Sequence, residues 1–240
     1  MNSKFPFQSK IKFPSGAETT AELIEQHIWP LLTPERQAKI KQVTAQRCFS
    51  LAVVMESIYD RGNISAVMRT GEGLGFANFH IVETFEKFKE ANRVTQGADK
   101  WVEVQKWKST TDCIKNLKDN GYQICVTALA TDSVPISEVD FSIPTALVLG
   151  NEKQGVSAEM IAAADKKIII PMPGFVQSFN ISVAGALSLY HIMQDRIRRL
   201  GKNQDLSEAE VKILNMIYAL NTMDSSEDIL KAKATGLREG

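Results

Sequence analysis

The strongest constraint on this chain is a set of apolar runs too short for helices and apolar on successive residues. Residues 51–55 read Leu-Ala-Val-Val-Met, 79–82 Phe-His-Ile-Val, 122–129 Tyr-Gln-Ile-Cys-Val-Thr-Ala-Leu, 145–149 Thr-Ala-Leu-Val-Leu and 167–170 Lys-Ile-Ile-Ile. A strand with one wet face alternates apolar and polar residues. A near-continuous run instead indicates a strand covered on both faces, as in a parallel sheet. A further short strand is expected at 101–104. Between the runs lie stretches with helical spacing at 63–74, 109–120, 156–164 and 180–200, with Gly75 and Gly121 just beyond two of the ends. This alternation predicts an α/β domain built on a mostly parallel sheet flanked by helices.

The flanks read differently. Residues 1–20 are punctuated by Pro6, Pro14, Ser15 and Gly16, show no period and predict an irregular arm. A helix is expected over 19–32, disturbed at its end by Pro30. Thr33 and Pro34, as N-cap and first helical residue, open another that runs to about Arg47. The polar stretch 83–100 has no period, and beyond Gly201 the apolar cluster 211–220 predicts a C-terminal helix before a charged tail. The expected division is an N-terminal arm and helices over 1–48, the α/β domain over 49–200 and a helical extension over 201–240.

Twenty-eight basic residues balance 28 acidic ones, which excludes a nucleic-acid binder that is basic all over but not one with local patches. Arg36, Lys39, Lys41 and Arg47 fall on one expected helix, and Arg196, Arg198, Arg199 and Lys202 at the end of another. The three cysteines and three histidines are far apart, so neither a disulfide framework nor metal-ligand spacing is present. No apolar run approaches the ~18 residues that span a bilayer. A cytoplasmic, metal-free protein with no membrane partner is expected. The glycines of Gly71-Glu-Gly-Leu-Gly75 follow a helix rather than open one, so they suit a close-packed helix end better than a dinucleotide loop.

Three segments, each just beyond an expected strand, carry chemistry. In Asn63-Ile-Ser-Ala-Val-Met-Arg69, Asn63 is explained as an N-cap, whereas Arg69 among apolar neighbours needs a partner, in a structural ion pair or a ligand. In Gly150-Asn-Glu-Lys-Gln-Gly155, Gly150 permits close approach to the backbone, and Glu152 either orients a reacting group or is a solvated turn residue. In Ile170-Pro-Met-Pro-Gly-Phe-Val-Gln-Ser-Phe-Asn180, two prolines stiffen a loop that presents Gln177, Ser178 and Asn180 at a helix start. One N-cap accounts for only one of those three polar residues.

Together these segments resemble the SpoU branch of the SPOUT methyltransferases. The N-x5-R of 63–69 looks like its first motif, Leu-Val-Leu-Gly-Asn-Glu-Lys-Gln-Gly over 147–155 its second, and 170–184 its third. The Pro34-Glu35-Arg36 helix, Lys100-Trp101-Val102 and Thr127-Ala-Leu129 resemble the family's tRNA guanosine 2′-O-methyltransferases. The resemblance implies a parallel α/β sheet with a deep C-terminal trefoil knot, a homodimer, and S-adenosylmethionine as methyl donor with S-adenosylhomocysteine as product. It implies that Thr127, Gly150, Ile170 and Phe179 line the cofactor pocket and that Asn63, Arg69, Glu152, Ser178 and Asn180 form the catalytic set. Arg36, Lys39, Lys41 and Arg47 would contact RNA. The substrate would be tRNA at guanosine 18 of the D-loop, with rRNA or a non-catalytic RNA-binding role as alternatives. Arg69 would be the base that activates the ribose hydroxyl, or only a fork on its phosphate. Gly97-Ala-Asp before Lys100, Pro173 and Phe179 depart from the family pattern.

Overall fold

A computed structural model describes residues 4–13, 15–83 and 98–236. In chain order the elements are β1 (Lys10–Lys12), β2 (Glu18–Thr20), α1 (Ala21–His27), α2 (Pro34–Thr44), β3 (Cys48–Glu56), α3 (Arg61–Gly73), β4 (Phe76–Val82) and β5 (Glu103–Trp107). They continue with α4 (Thr110–Asp119), β6 (Gln123–Thr127), β7 (Val134–Pro135), β8 (Thr145–Leu149), α5 (Ala158–Ala163), β9 (Lys166–Ile169), α6 (Ile181–Leu200), α7 (Glu208–Thr222) and α8 (Ser226–Gly236). The chain forms two compact units, one of residues 48–205 and the other of residues 1–47 with 206–240. The expected N-terminal and C-terminal segments therefore share one unit.

In the larger unit seven strands form one sheet in the order β5-β4-β3-β8-β6-β9-β7, every described pair parallel. All nine residues of β3, all seven of β4 and all five of β8 are buried, as their unbroken apolar character demands. Alternate residues build two cores. Leu51, Val53, Met55, Phe79, Leu147 and Leu149 pack with Val67 and Met68 of α3 and Leu189 and Ile192 of α6. Ala52, Val54, Ala146, Val148, Ile124 and Val126 face Cys113 and Leu117 of α4 and Met160 of α5. Gly71 has its reason here: a Cβ would lie 2.6 Å from Phe79 Cζ, so the glycine cluster is the close-packed helix end its position suggested. Gly75, at φ +91°, follows that end.

A part-buried carboxylate and a buried arginine tie the start of β3 to the end of α6. Asp205 accepts from the amides of Phe49 at 3.0 Å and Ser50 at 2.6 Å, and Arg196 lies 3.9 Å from it. Arg196, 2% exposed, donates to the carbonyls of Phe141 and Asn203 at 3.1 and 3.2 Å. Asp195 accepts from Arg198, from Arg199 Nε at 2.8 Å and from the Phe141 amide at 3.1 Å. Of the basic cluster expected at the end of α6, Arg196 is thus consumed inside the fold, while Arg198, Arg199 and Lys202 are exposed.

The smaller unit corrects two expectations. Residues 10–20 are not irregular: β1 and β2 pair as an antiparallel hairpin. The helix expected over 19–32 is shorter, capped by Thr20, and gives way to a 3-10 turn, Trp29–Leu31, that holds Pro30. The charged tail is helical through α8. Thr33 caps α2 with Pro34 first in the helix, as expected. Thr44 Oγ1 donates to Asn215 Oδ1 of α7 at 2.7 Å in the interior of this unit. In the larger unit the strand expected at 101–104 begins at Glu103, behind a 3-10 turn over Ala98–Trp101. Most of the polar stretch, 84–97, lies outside the described residues. Among those described, no helix is long and apolar enough to cross a membrane, and no cluster of metal-ligating residues is found.

Candidate active site

Because the large sheet is parallel, the carboxyl ends of its strands lie on one side, and the order reverses between β3 and β8. Ligands in such sheets gather at that crevice. The strand ends there are Glu56 of β3, Thr127 of β6, Leu149 of β8 and Ile169 of β9, and the three chemistry-bearing segments leave from this edge.

The 150–155 segment is a tight turn. Asn151 and Gly155 exchange backbone hydrogen bonds at 2.9 and 2.8 Å. Asn151 Oδ1 accepts from the amides of Lys153 and Gln154 at 2.9 and 3.1 Å. A Cβ on Gly150 would lie 2.3 Å from the Val156 amide nitrogen and 2.4 Å from the Gly155 carbonyl carbon. The backbone that a Cβ on Gly150 would meet is the chain's own, so the turn itself needs a glycine there.

The turn is tied to the loop between β3 and α3. Asn151 Nδ2 donates to the Ser57 carbonyl at 2.6 Å, and Ser57 holds a positive φ of 52°. Glu152 Oε1 accepts from Asn63 Nδ2 at 2.8 Å, and its Oε2 from the Tyr59 amide at 3.1 Å. Removal from water acts to raise the Glu152 pKa. Hydrogen bonds from Asn63 and from the amides of Glu152, Tyr59 and Asp60 outweigh it and hold the carboxyl below the usual glutamate range. Asn63 is thus not the N-cap: Asp60 caps α3 through the Gly62 amide at 2.7 Å, which frees Asn63 to reach Glu152.

Arg69 lies further along α3 on its exposed face, with Gly62 and Ala66. The packed face expected for it is supplied by Ile64, Ser65, Val67 and Met68 instead. The third segment is exposed from Gly174 to Asn180 and ends on α6. Asn180 Oδ1 accepts from the Ser182 amide at 2.9 Å, so Asn180 is the N-cap, and Ser178 and Gln177 remain to face the site.

A cavity of about 640 Å³ opens between the second and third segments. Thr127, Gly150, Ile170 and Phe179 all line it, as do Glu152, Gln177, Ser178 and Asn180. Apolar wall comes from Leu149, Val156, Ile161, Ile168 and Ile181. Thr127 Oγ1 donates to the Val148 carbonyl at 3.0 Å, which fixes that corner. Ser188, fully buried in the wall, has an Oγ with no hydrogen-bond partner. Asn63 and Arg69 are not in the lining, and Asn63 joins it through Glu152. Asn151 and Ser57 went unremarked as site residues in the sequence. An Asn at the head of a turn is an ordinary signal, and nothing local marks Ser57 as left-handed.

The residues expected on RNA divide. Arg36, Lys39 and Lys41 are exposed on α2, Lys41 over the Trp29 ring at 5.6 Å. Arg47 is not available: it is 1% exposed, donates through Nε to Tyr218 OH at 3.0 Å and lies against that ring. Arg47 lies beyond the last residue of α2, Thr44, and packs inward.

Comparison with known proteins matches this frame. Residues 50–190 match the model of the SpoU rRNA Methylase family. The chain is 37% identical over 182 residues to the tRNA (guanosine(18)-2′-O)-methyltransferase of Escherichia coli strain K12, covering 75% of this chain and 80% of that protein. The crystal structure of the Aquifex aeolicus TrmH/SpoU tRNA modifying enzyme is 35% identical and superposes with a TM-score of 0.70, covering 79% of this chain and 97% of that one. An AdoMet-bound rRNA methyltransferase from Sinorhizobium meliloti is 25% identical, with a TM-score of 0.56 over 65% of this chain and 59% of the other. With the matched segment spanning the whole sheet from β3 to α6 and all three motif segments meeting at its carboxyl edge, this chain belongs to the SpoU methylase family.

Proposed function

We propose that the protein is an S-adenosylmethionine-dependent tRNA ribose 2′-O-methyltransferase acting on guanosine 18. The observation that carries the reading is the convergence of the three segments. The second and third enclose one cavity, and the first is bonded to it through Asn63 and Glu152 at 2.8 Å. Identity to the E. coli guanosine-18 enzyme over three quarters of the chain supports the choice of tRNA.

The cavity suits the cofactor. Apolar walls from Leu149, Ile161 and Ile168 can take a purine, while main-chain groups around Gly150 and Ile170 and the unpartnered Ser188 hydroxyl offer polar contacts. Thr127, Gly150, Ile170 and Phe179 are the residues that would hold it. When bound, S-adenosylmethionine supplies an electrophilic sulfonium methyl group. The chain's own residues then position the nucleotide. Arg69, on the exposed face of α3, carries the planar fork of donors that suits a phosphate. Ser178 and Asn180, at the start of α6, orient the ribose end of the site. Glu152 acts through Asn63 and the loop before α3 and is a positioning residue. Holding the 2′-hydroxyl in line with the methyl group removes much of the entropic barrier.

The same reading carries a knotted C-terminal part, a cytoplasmic setting and a homodimer. Supporting the dimer is an exposed apolar row on α6 of Val183, Leu187, Tyr190 and Ile197, at 45%, 43%, 56% and 41%. Residues spaced by three, four and seven share one helix face, and an uncovered row of this kind marks an interface.

The test is transfer of labelled methyl to unmodified tRNA, with the nucleotide identified by digestion and mass mapping. Label on the guanosine 18 ribose is expected, and transfer to large-subunit rRNA in place of tRNA would overturn the tRNA assignment. Arg69→Ala is expected to abolish transfer while S-adenosylmethionine affinity, measured by calorimetry, is unchanged. Loss of both would make Arg69 structural.

A further inference from the structure

Tyr59 is a large aromatic side chain that the fold does not use. The residue is 82% exposed, in the loop between β3 and α3. A single exposed aromatic ordinarily needs no explanation. Here its main chain is held tightly. On one side Ser57 adopts a left-handed φ of 52° and its carbonyl accepts from Asn151 Nδ2 at 2.6 Å. The Tyr59 amide itself donates to Glu152 Oε2 at 3.1 Å, and on the other side Asp60 caps α3. A ring on a mobile loop is adaptable, whereas a ring on a backbone pinned from three directions presents one face in one place. That place is a single hydrogen bond from Glu152, which lines the cavity and also holds Asn63.

Sequence-specific RNA recognition mostly targets unpaired nucleotides, and a base that has left its stack seeks another π-face. Proteins that read unpaired RNA supply that face with a fixed aromatic ring. We propose that Tyr59 is a specificity-determining residue whose ring stacks on an unpaired base at or beside the methylated nucleotide. The inference rests on the tRNA methyltransferase reading above and adds to it the contact that selects an unpaired, unstacked substrate. Stacking serves any base, so Tyr59 selects for the looped-out state rather than for guanine. On the reading above Arg69 takes the phosphate, so the two contacts would divide base from backbone.

The experiment compares wild-type protein with Tyr59→Leu and Tyr59→Phe. Leu keeps apolar bulk and loses the ring, while Phe keeps the ring. Base–aromatic stacking energies predict that Tyr59→Leu weakens tRNA binding and raises KM between about 5-fold and about 150-fold. Tyr59→Phe stays within about 2-fold, and S-adenosylmethionine affinity and Tm are unchanged in both. Equal tRNA affinity and KM for Tyr59→Leu and wild type would overturn the proposal while leaving the tRNA reading intact. So would equal losses in the Leu and Phe variants, or a lowered Tm that accounts for the loss. If the wild-type protein neither binds nor methylates tRNA, the underlying reading fails and the proposal falls with it.

Discussion

Glu152 is the residue on which the site turns. It is exposed, yet it gathers Asn63 from α3 and the Tyr59 amide from the preceding loop. Desolvation works against its charge, and the donated hydrogen bonds win, so its pKa in the folded protein is depressed. For a depressed carboxylate the contribution is fully present above the unfolded value and lost as pH falls through the folded one. Methyl transfer should therefore hold across neutral pH and fall on an acid limb lying below the ordinary glutamate range. Glu152→Gln, which keeps one acceptor oxygen but no charge, should lower activity at neutral pH and remove that limb. A pH profile of kcat/KM for both proteins checks this, and an acid limb unchanged in Glu152→Gln would assign it to another group. The sequence marked Glu152 and Asn63 as polar residues in two separate segments, but not that they touch, because 89 positions separate them. Gly150 was legible as a special position, but not the internal contact that also requires it. A glycine in sequence says that something comes close, and only the fold says that it is the Gly155–Val156 peptide.

At the scale of elements, helix ends were legible where one residue type suffices. Thr33 with Pro34 opens α2 and Asn180 caps α6, as their residue types suggest. The start of α3 was not, because Asp60 and Asn63 both suit an N-cap, and the choice rests on Glu152 claiming Asn63. The end of α6 shows the same limit for charge. Arg196 and Arg198 look alike in sequence, yet Arg196 is 2% exposed and bonded to the Phe141 carbonyl and Asn203. Removing one partner of a buried charge network costs about 3–5 kcal/mol. Arg196→Met should destabilise by about that amount in denaturant titration while Arg198→Met, at the surface, costs less than about 1 kcal/mol. Equal effects would mean that the buried arginine is not structural.

At the scale of the whole molecule, zero net charge and RNA recognition are compatible if the contacts are few and local. Of the cations first assigned to RNA, Arg36, Lys39 and Lys41 remain exposed on α2 and Arg47 does not. Each phosphate neutralised contributes roughly 0.7–0.9 to the slope of log affinity against log salt. Replacing Lys39 and Arg36 by Gln should flatten the slope for tRNA by about 2 slope steps of that size, whereas Arg196→Met should leave it unchanged. A slope unaltered in the double variant would move the RNA surface away from α2.

The fold class followed from local pattern alone. Runs apolar on successive residues can be satisfied only between two covering layers, so a parallel sheet flanked by helices was implied before any contact was known. What only the tertiary structure decided was the order β5-β4-β3-β8-β6-β9-β7 and everything that order brings together. Strand neighbours depend on crossovers that no local pattern encodes. The insertion of β8 beside β3 carries Glu152 to Asn63 and Asn151 to Ser57. The same long-range packing decided which cations are spent inside the protein. Burial is a property of where a side chain's neighbours fold, and for Arg47 and Arg196 those neighbours include Tyr218 and Phe141, far away in the chain.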